Sequence, residues 1–144
     1  MASAVRRAVY GGAMRLLPSI VAVAIGGALG TAARALLQEA MPGGWALLLA
    51  NVLGSLLLGI STASLAGAPA WLRHGIGAGA LGGFTTFSAI AVASVSASAS
   101  SSGWATIVPA LPGIGIALGM LFAGLAAAWA GLAIGRRLVR GRTA

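Results

Sequence analysis

The chain has 144 residues, of which 59% are apolar and only 7% charged: nine Arg, no Lys, one acid (Glu39) and one His (His74). A net charge of +8 and a mean hydropathy of +1.01 exclude an ordinary soluble domain, in which about a quarter of residues are charged, and also a disordered chain. The absence of Cys excludes a disulfide scaffold and any thiolate metal site, and a single acid leaves no carboxylate pair for acid–base catalysis or a carboxylate cage. The length suits one domain.

A membrane helix needs about 20 mostly apolar residues. Four stretches meet that condition, at roughly 16–37, 45–66, 71–97 and 107–134. The predicted fold class is therefore an all-α membrane protein, a single transmembrane domain of four helices. The turns between the stretches are rich in breakers or polar groups: Met41 to Gly44, Gly67 to Pro69, and Ser98 to Gly103. Trp45, Trp71 and Trp104 stand at span edges, where indoles favour the headgroup layer.

Arg6 and Arg7 before an apolar run resemble a targeting segment. The run is too long for one, however. It reaches Arg34, and no small-residue cleavage site ends it. The arginines flank spans, which favours a role in orientation over nucleic-acid binding. With four spans, Arg6, Arg7, Arg15, Arg73 and the four arginines from Arg136 to Arg142 share one side, and the opposite loops carry none. Arginine flanks prefer the cytoplasm, so the expected location is the cell membrane, multi-pass, with both termini cytoplasmic.

Polar groups inside a bilayer are costly, and each asks for a reason. Arg34, near the outer end of span one, can snorkel to the headgroups and reach toward Glu39, a structural role. Asn51, deeper in span two, can bond a neighbouring helix or offer amide donors to a hydrated path. In span four, Gly115, Gly119 and Ala123, continued by Gly124, Ala128 and Gly131, read as one small-residue packing surface.

The densest signal is Gly82-Gly83-Phe84-Thr85-Thr86-Phe87-Ser88 in the middle of span three. Adjacent glycines weaken a helix, and threonine hydroxyls compete for its carbonyls. A break there would free carbonyl oxygens, good ligands for a small hard cation, and is tolerated only where protein or a cavity surrounds it. The same residues also suit an unbroken glycine crossing with threonine back-bonding.

Three motifs resemble the Fluc (CrcB) family of fluoride channels: Gly26-Gly27-Ala28-Leu29-Gly30-Thr31-Ala32-Ala33-Arg34, then Asn51-Val52-Leu53-Gly54-Ser55 ending in Gly59, then Gly82 to Ser88. Order, spacing and length all agree, over nearly the whole chain. The resemblance implies an antiparallel dimer of four-helix subunits whose third helices break and cross at the centre. One structural Na⁺, not transported, would be held there by backbone carbonyls, here of Gly82 and Thr85. Two fluoride pores would run along the dimer interface, with Asn51 as donor, Phe87 as a ring-edge contact, and Thr86 and Ser88 beside the path. Amide and hydroxyl donors can replace the water of fluoride, a ring edge is positive, and a buried cation adds positive potential. No basic residue is expected at the pore centre, so the ion can leave. Passive flux of this kind is not enzymatic.

The chain also departs from the family pattern. Ile90 stands where the family has a second phenylalanine, and Ala93 stands near a common glutamate. No Ser or Thr lies between Thr106 and Thr143, where the family carries a line of hydroxyls. The one-sided arginines imply one-way insertion, so an antiparallel partner should be a second, related four-helix chain with the opposite bias rather than a copy of this one. The alternatives are a non-conducting partner or structural subunit of such a channel, and a small four-helix multidrug transporter. The transporter reading needs a membrane-embedded carboxylate, and Glu39 lies at a helix end.

Overall fold

The computed structural model describes residues 2–41, 44–86 and 107–141. All of its regular structure is helical, and there is no strand among the described residues. Helix α1 spans Ala2–Ala40 and α2 spans Trp45–Ser64. The third helix is composite. It begins as α3 (Ala70–His74), widens into a π-helical segment (Gly75–Leu81), and tightens again as α4 (Gly82–Phe84). The last helix, α5, spans Ile107–Arg140.

Three of these helices are long and apolar enough to cross a membrane: Leu16–Ala40, Trp45–Ser64 and Ile114–Arg140. The chain is a membrane protein by this measure, and its surface agrees. Large apolar side chains point outward, including Trp129 at 74% exposed and Leu36 at 66%. The buried residues are small or lie along α2: Ala46, Leu47, Ala50, Gly54 and Gly59. In water this would be inside out. In lipid, where tails are as apolar as leucine, helices gain most by bringing small residues together.

Two seams result. Between α2 and α5, a Cβ added to Gly59 would overlap the Ala128 carbonyl and lie 2.7 Å from the Leu132 amide nitrogen. A Cβ on Gly131 would overlap the Leu56 carbonyl. Between α1 and the third helix, a Cβ on Gly26 would overlap the Gly75 carbonyl, and one on Gly30 the Ala80 carbonyl. These backbones approach so closely that only hydrogen fits.

The fourth-span surface divides. Gly124, Gly131 and Gly135 meet α2, but a Cβ on Gly115 or Gly119 would meet nothing within 4 Å among the described residues. Among the described residues, α2 thus covers only the later part of the small surface expected from the sequence. Gly119 and Gly131 lie about a third of a turn apart around a helix of 3.6 residues per turn, so one partner cannot cover both.

α2 and the third helix end for local reasons. Near the end of α2 the hydroxyls of Ser61 and Thr62 turn back onto the Leu58 carbonyl, at 3.0 and 2.7 Å. Leu65 donates to the Ser61 carbonyl at 2.8 Å and closes the helix. Pro69, with φ −54° and ψ 146°, starts the next one, and its carbonyl accepts from Leu72 and Arg73. The third helix stops at Thr85, whose φ of −80° and ψ of 155° are extended. Of the span expected at 71–97, the part from Phe87 onward lies outside the described residues.

Candidate functional site

The site lies where α2 crosses the end of the third helix. The π-helical segment reads Gly-Ile-Gly-Ala-Gly-Ala-Leu, so three of its seven residues are glycine. Glycine is the weakest helix former after proline, and π-turns sit often at functional positions. The segment leads directly into the break. Its Leu81 carbonyl accepts twice from Thr85, from the backbone N–H at 2.9 Å and from the hydroxyl at 3.0 Å. That is the last helical bond before the chain straightens.

Beyond it, Asn51 takes over. The Thr86 N–H donates to Asn51 Oδ1 at 3.0 Å, and Asn51 Nδ2 donates to the Thr86 carbonyl at 3.2 Å. The same Nδ2 donates to the Leu47 carbonyl one turn back, at 2.9 Å. An amide has two N–H donors, and both are engaged. One turn further along α2, Gly54 leaves room for the threonine. A Cβ there would overlap Thr85 Cγ2 and come within 3.3 Å of Phe84 Cδ1. Asn51 and Gly54 therefore act on the same short stretch, one by bonding it and the other by making way.

On the opposite flank, α1 supports the break through Gly83. A Cβ on Gly83 would lie 2.5 Å from the Gly27 carbonyl and 3.1 Å from Thr31 Oγ1. The first-span glycines, the second-span Asn51 and the third-span threonines thus converge on one place.

A cation bound by carbonyls fits this geometry. In helical register the Gly82 carbonyl would accept from the Thr86 N–H, and that N–H is turned to Asn51 instead. The Thr85 peptide is extended. Gly82 and Thr85 can thus offer neutral, hard oxygen ligands. No cluster of His or carboxylate ligands exists among the described residues, and the oxygens at this place are those of the backbone and of the Thr31, Thr85 and Asn51 side chains.

Other expected residues stand apart. Arg34 is half-buried, and its Nε has no hydrogen-bond partner among the described residues. Phe87, Ser88, Ile90 and Ala93 lie outside the described residues. A cavity of about 220 Å³ opens between the end of α2 and the start of the third helix, lined by Ser61, Thr62, Leu65, Arg73, His74 and Gly77. Sequence reasoning missed this cavity, the π-helical segment and the purpose of Gly54. The alternating glycines at 75, 77 and 79 were the visible cue for the second.

A family model described as CrcB-like protein, Camphor Resistance (CrcB), matches residues 21–132. The chain belongs to the CrcB family. The match contains all three motifs and the glycine seams up to Leu132. A relative from Rhodococcus jostii, named Fluoride-specific ion channel FluC 1, is 47% identical over 112 residues, covering 76% of this chain and 88% of the relative. One from Cutibacterium acnes, named Fluoride-specific ion channel FluC 2, is 39% identical over 125 residues, covering 81% and 96%. A third, from Symbiobacterium thermophilum and named Fluoride-specific ion channel FluC 1, is 37% identical over 128 residues, covering 81% and 97%. CrcB membership agrees with the resemblance carried by the motifs.

Proposed function

We propose that this CrcB-family chain is a subunit of a fluoride channel that lets fluoride leave the cell passively. The observation that carries the reading is the helix break at Thr85, half-buried where the third helix meets α1 and α2. Broken backbone at membrane depth is tolerated only where protein or a water-filled cavity surrounds it, and a path or an ion site is one use of such a break. The names of the relatives supply the permeant ion.

The pore in this reading runs past Asn51, Thr86, Phe87 and Ser88, with Arg34 as a structural group outside it. The Gly82 and Thr85 carbonyls, with the same pair from a second subunit, would hold Na⁺. When bound, that ion supplies fixed positive charge in a low-dielectric setting and is not transported. The cavity beside Arg73 and His74 lies at the arginine-rich ends of the spans, which the charge rule assigns to the cytoplasm. Arg73 gives it a positive charge that would gather anions at a channel mouth.

The assembly is an antiparallel dimer, and the strong arginine bias favours a second related chain as partner over a second copy. The test is fluoride-electrode recording on proteoliposomes. This chain reconstituted with an oppositely biased partner releases fluoride and retains chloride. Release of equal size by this chain alone, shown to insert both ways, rejects the heterodimer. No fluoride release from any pairing rejects the channel.

One observation favours a second reading, that of a subunit which scaffolds the assembly and conducts nothing. Gly115 and Gly119 present bare backbone where the family carries hydroxyls. Phe87→Ala in the complete assembly separates the two: a conducting subunit loses flux, and a scaffold subunit does not.

A further inference from the structure

Asn51 is placed among the pore donors by the proposed function, yet both of its N–H donors are engaged by peptide carbonyls and its oxygen accepts from a peptide N–H. Oδ1 accepts from the Thr86 N–H, and Nδ2 donates to the carbonyls of Thr86 and Leu47. A side chain that exchanges both bonds with one residue needs that residue's N–H and C=O to point the same way. This is the pairing of strands, not of helices. The bond to Leu47, on the same helix, holds the carboxamide in place against α2.

The consequence falls on Gly82. The Leu81 carbonyl keeps its helical donor, the Thr85 N–H. The next carbonyl, that of Gly82, loses its own donor because the Thr86 N–H is held by Asn51 at 3.0 Å. Gly54 makes this possible by admitting Thr85 against α2.

We infer that Asn51 is a positioning residue for the helix break: its carboxamide holds Thr86 extended, withholds the Thr86 N–H from the Gly82 carbonyl, and so keeps that oxygen available to a cation. The inference rests on the proposed function for the presence of the cation, and it assigns Asn51 a task separate from touching fluoride. The decisive atom is the acceptor Oδ1, not the donor Nδ2.

That distinction sets the test. The protein is purified in the assembly it forms, and its thermal midpoint is followed by Trp fluorescence in NaCl and in N-methylglucamine chloride of equal ionic strength. Fluoride efflux is recorded separately on the same preparations. The wild type is expected to gain a Na⁺-dependent rise in midpoint. Asn51→Asp keeps an acceptor oxygen in either protonation state and is expected to keep that rise while its fluoride efflux falls. Asn51→Leu, similar in size with no acceptor, is expected to lose the rise. Should Asn51→Leu fail to fold, Asn51→Ser, too short to reach Thr86, is read in the same way. A full rise in the leucine or serine variant overturns the inference. So does loss of the rise in Asn51→Asp, or its absence in the wild type. Absence of fluoride efflux in the wild type, with the Na⁺ pattern as expected, instead rejects the channel reading and leaves the role of Asn51 standing.

Discussion

Along the α2–α5 seam, Gly59 and Gly131 bring two helices together backbone to backbone, and the Ser55 hydroxyl is the polar neighbour of Gly124 there. Along the seam between α1 and the third helix, Gly26 and Gly30 do the same against Gly75 and Ala80, but the partner helix there widens, tightens and stops. The construction is alike and the outcome differs. The difference arises just past the contact. α5 continues as a helix to Arg140, whereas the third helix runs into two threonines with Asn51 waiting opposite. Close glycine contact alone makes a scaffold. Glycine contact next to an available acceptor makes a site.

Substitutions can separate the two seams. The largest effect is expected from Gly131→Leu and Gly30→Leu, each of which drives a side chain into a carbonyl on the facing helix. Overpacking in a close-packed interior costs about 1–3 kcal/mol even among side chains. Here backbone is the obstacle, so both variants should lose monodisperse protein in size-exclusion chromatography. Normal recovery of either would mean that its seam is not formed as described.

Gly54→Val should act on the site alone. Its Cβ overlaps Thr85 Cγ2, while no α5 residue stands among its nearest neighbours. The protein should still be recovered, with fluoride efflux lost. Unchanged efflux would separate the Thr85 position from conduction. A smaller change is expected from Thr85→Val, which keeps the shape and removes the hydroxyl bond to Leu81. Such a bond contributes about 1 kcal/mol, so a modest fall in thermal midpoint is expected, with folding intact. The smallest effect belongs to Gly119→Ala, since a Cβ there would meet nothing within 4 Å among the described residues. No change in recovery or midpoint is expected for the subunit itself. A marked loss would reveal a close neighbour on that face.

Much of this was legible in the sequence. The run from Gly82 to Ser88 marked where a break could fall, because weak helix formers and competing hydroxyls coincide there, but it suited an unbroken glycine crossing equally well. Asn51 drew notice because an amide at membrane depth needs a partner. Its partner was not legible, since spacing within α2 says nothing about which residue of another helix lies opposite. The π-helical segment escaped for a related reason. Glycines at 75, 77 and 79 lower helix propensity, but propensity does not distinguish a widened turn from an ordinary one. In span four, small residues filled two faces, and composition could not tell which one α2 would cover.

The most direct measurement is backbone solid-state NMR of Leu81 to Thr86 in lipid bilayers, with the Asn51 side-chain amide labelled. The expected result is helical carbon shifts through Phe84, an extended shift at Thr85, and a through-space contact between the Asn51 carboxamide and the Thr86 peptide. Helical shifts running without interruption through Thr86, with Asn51 remote from it, would refute the helix break and the role given to Asn51.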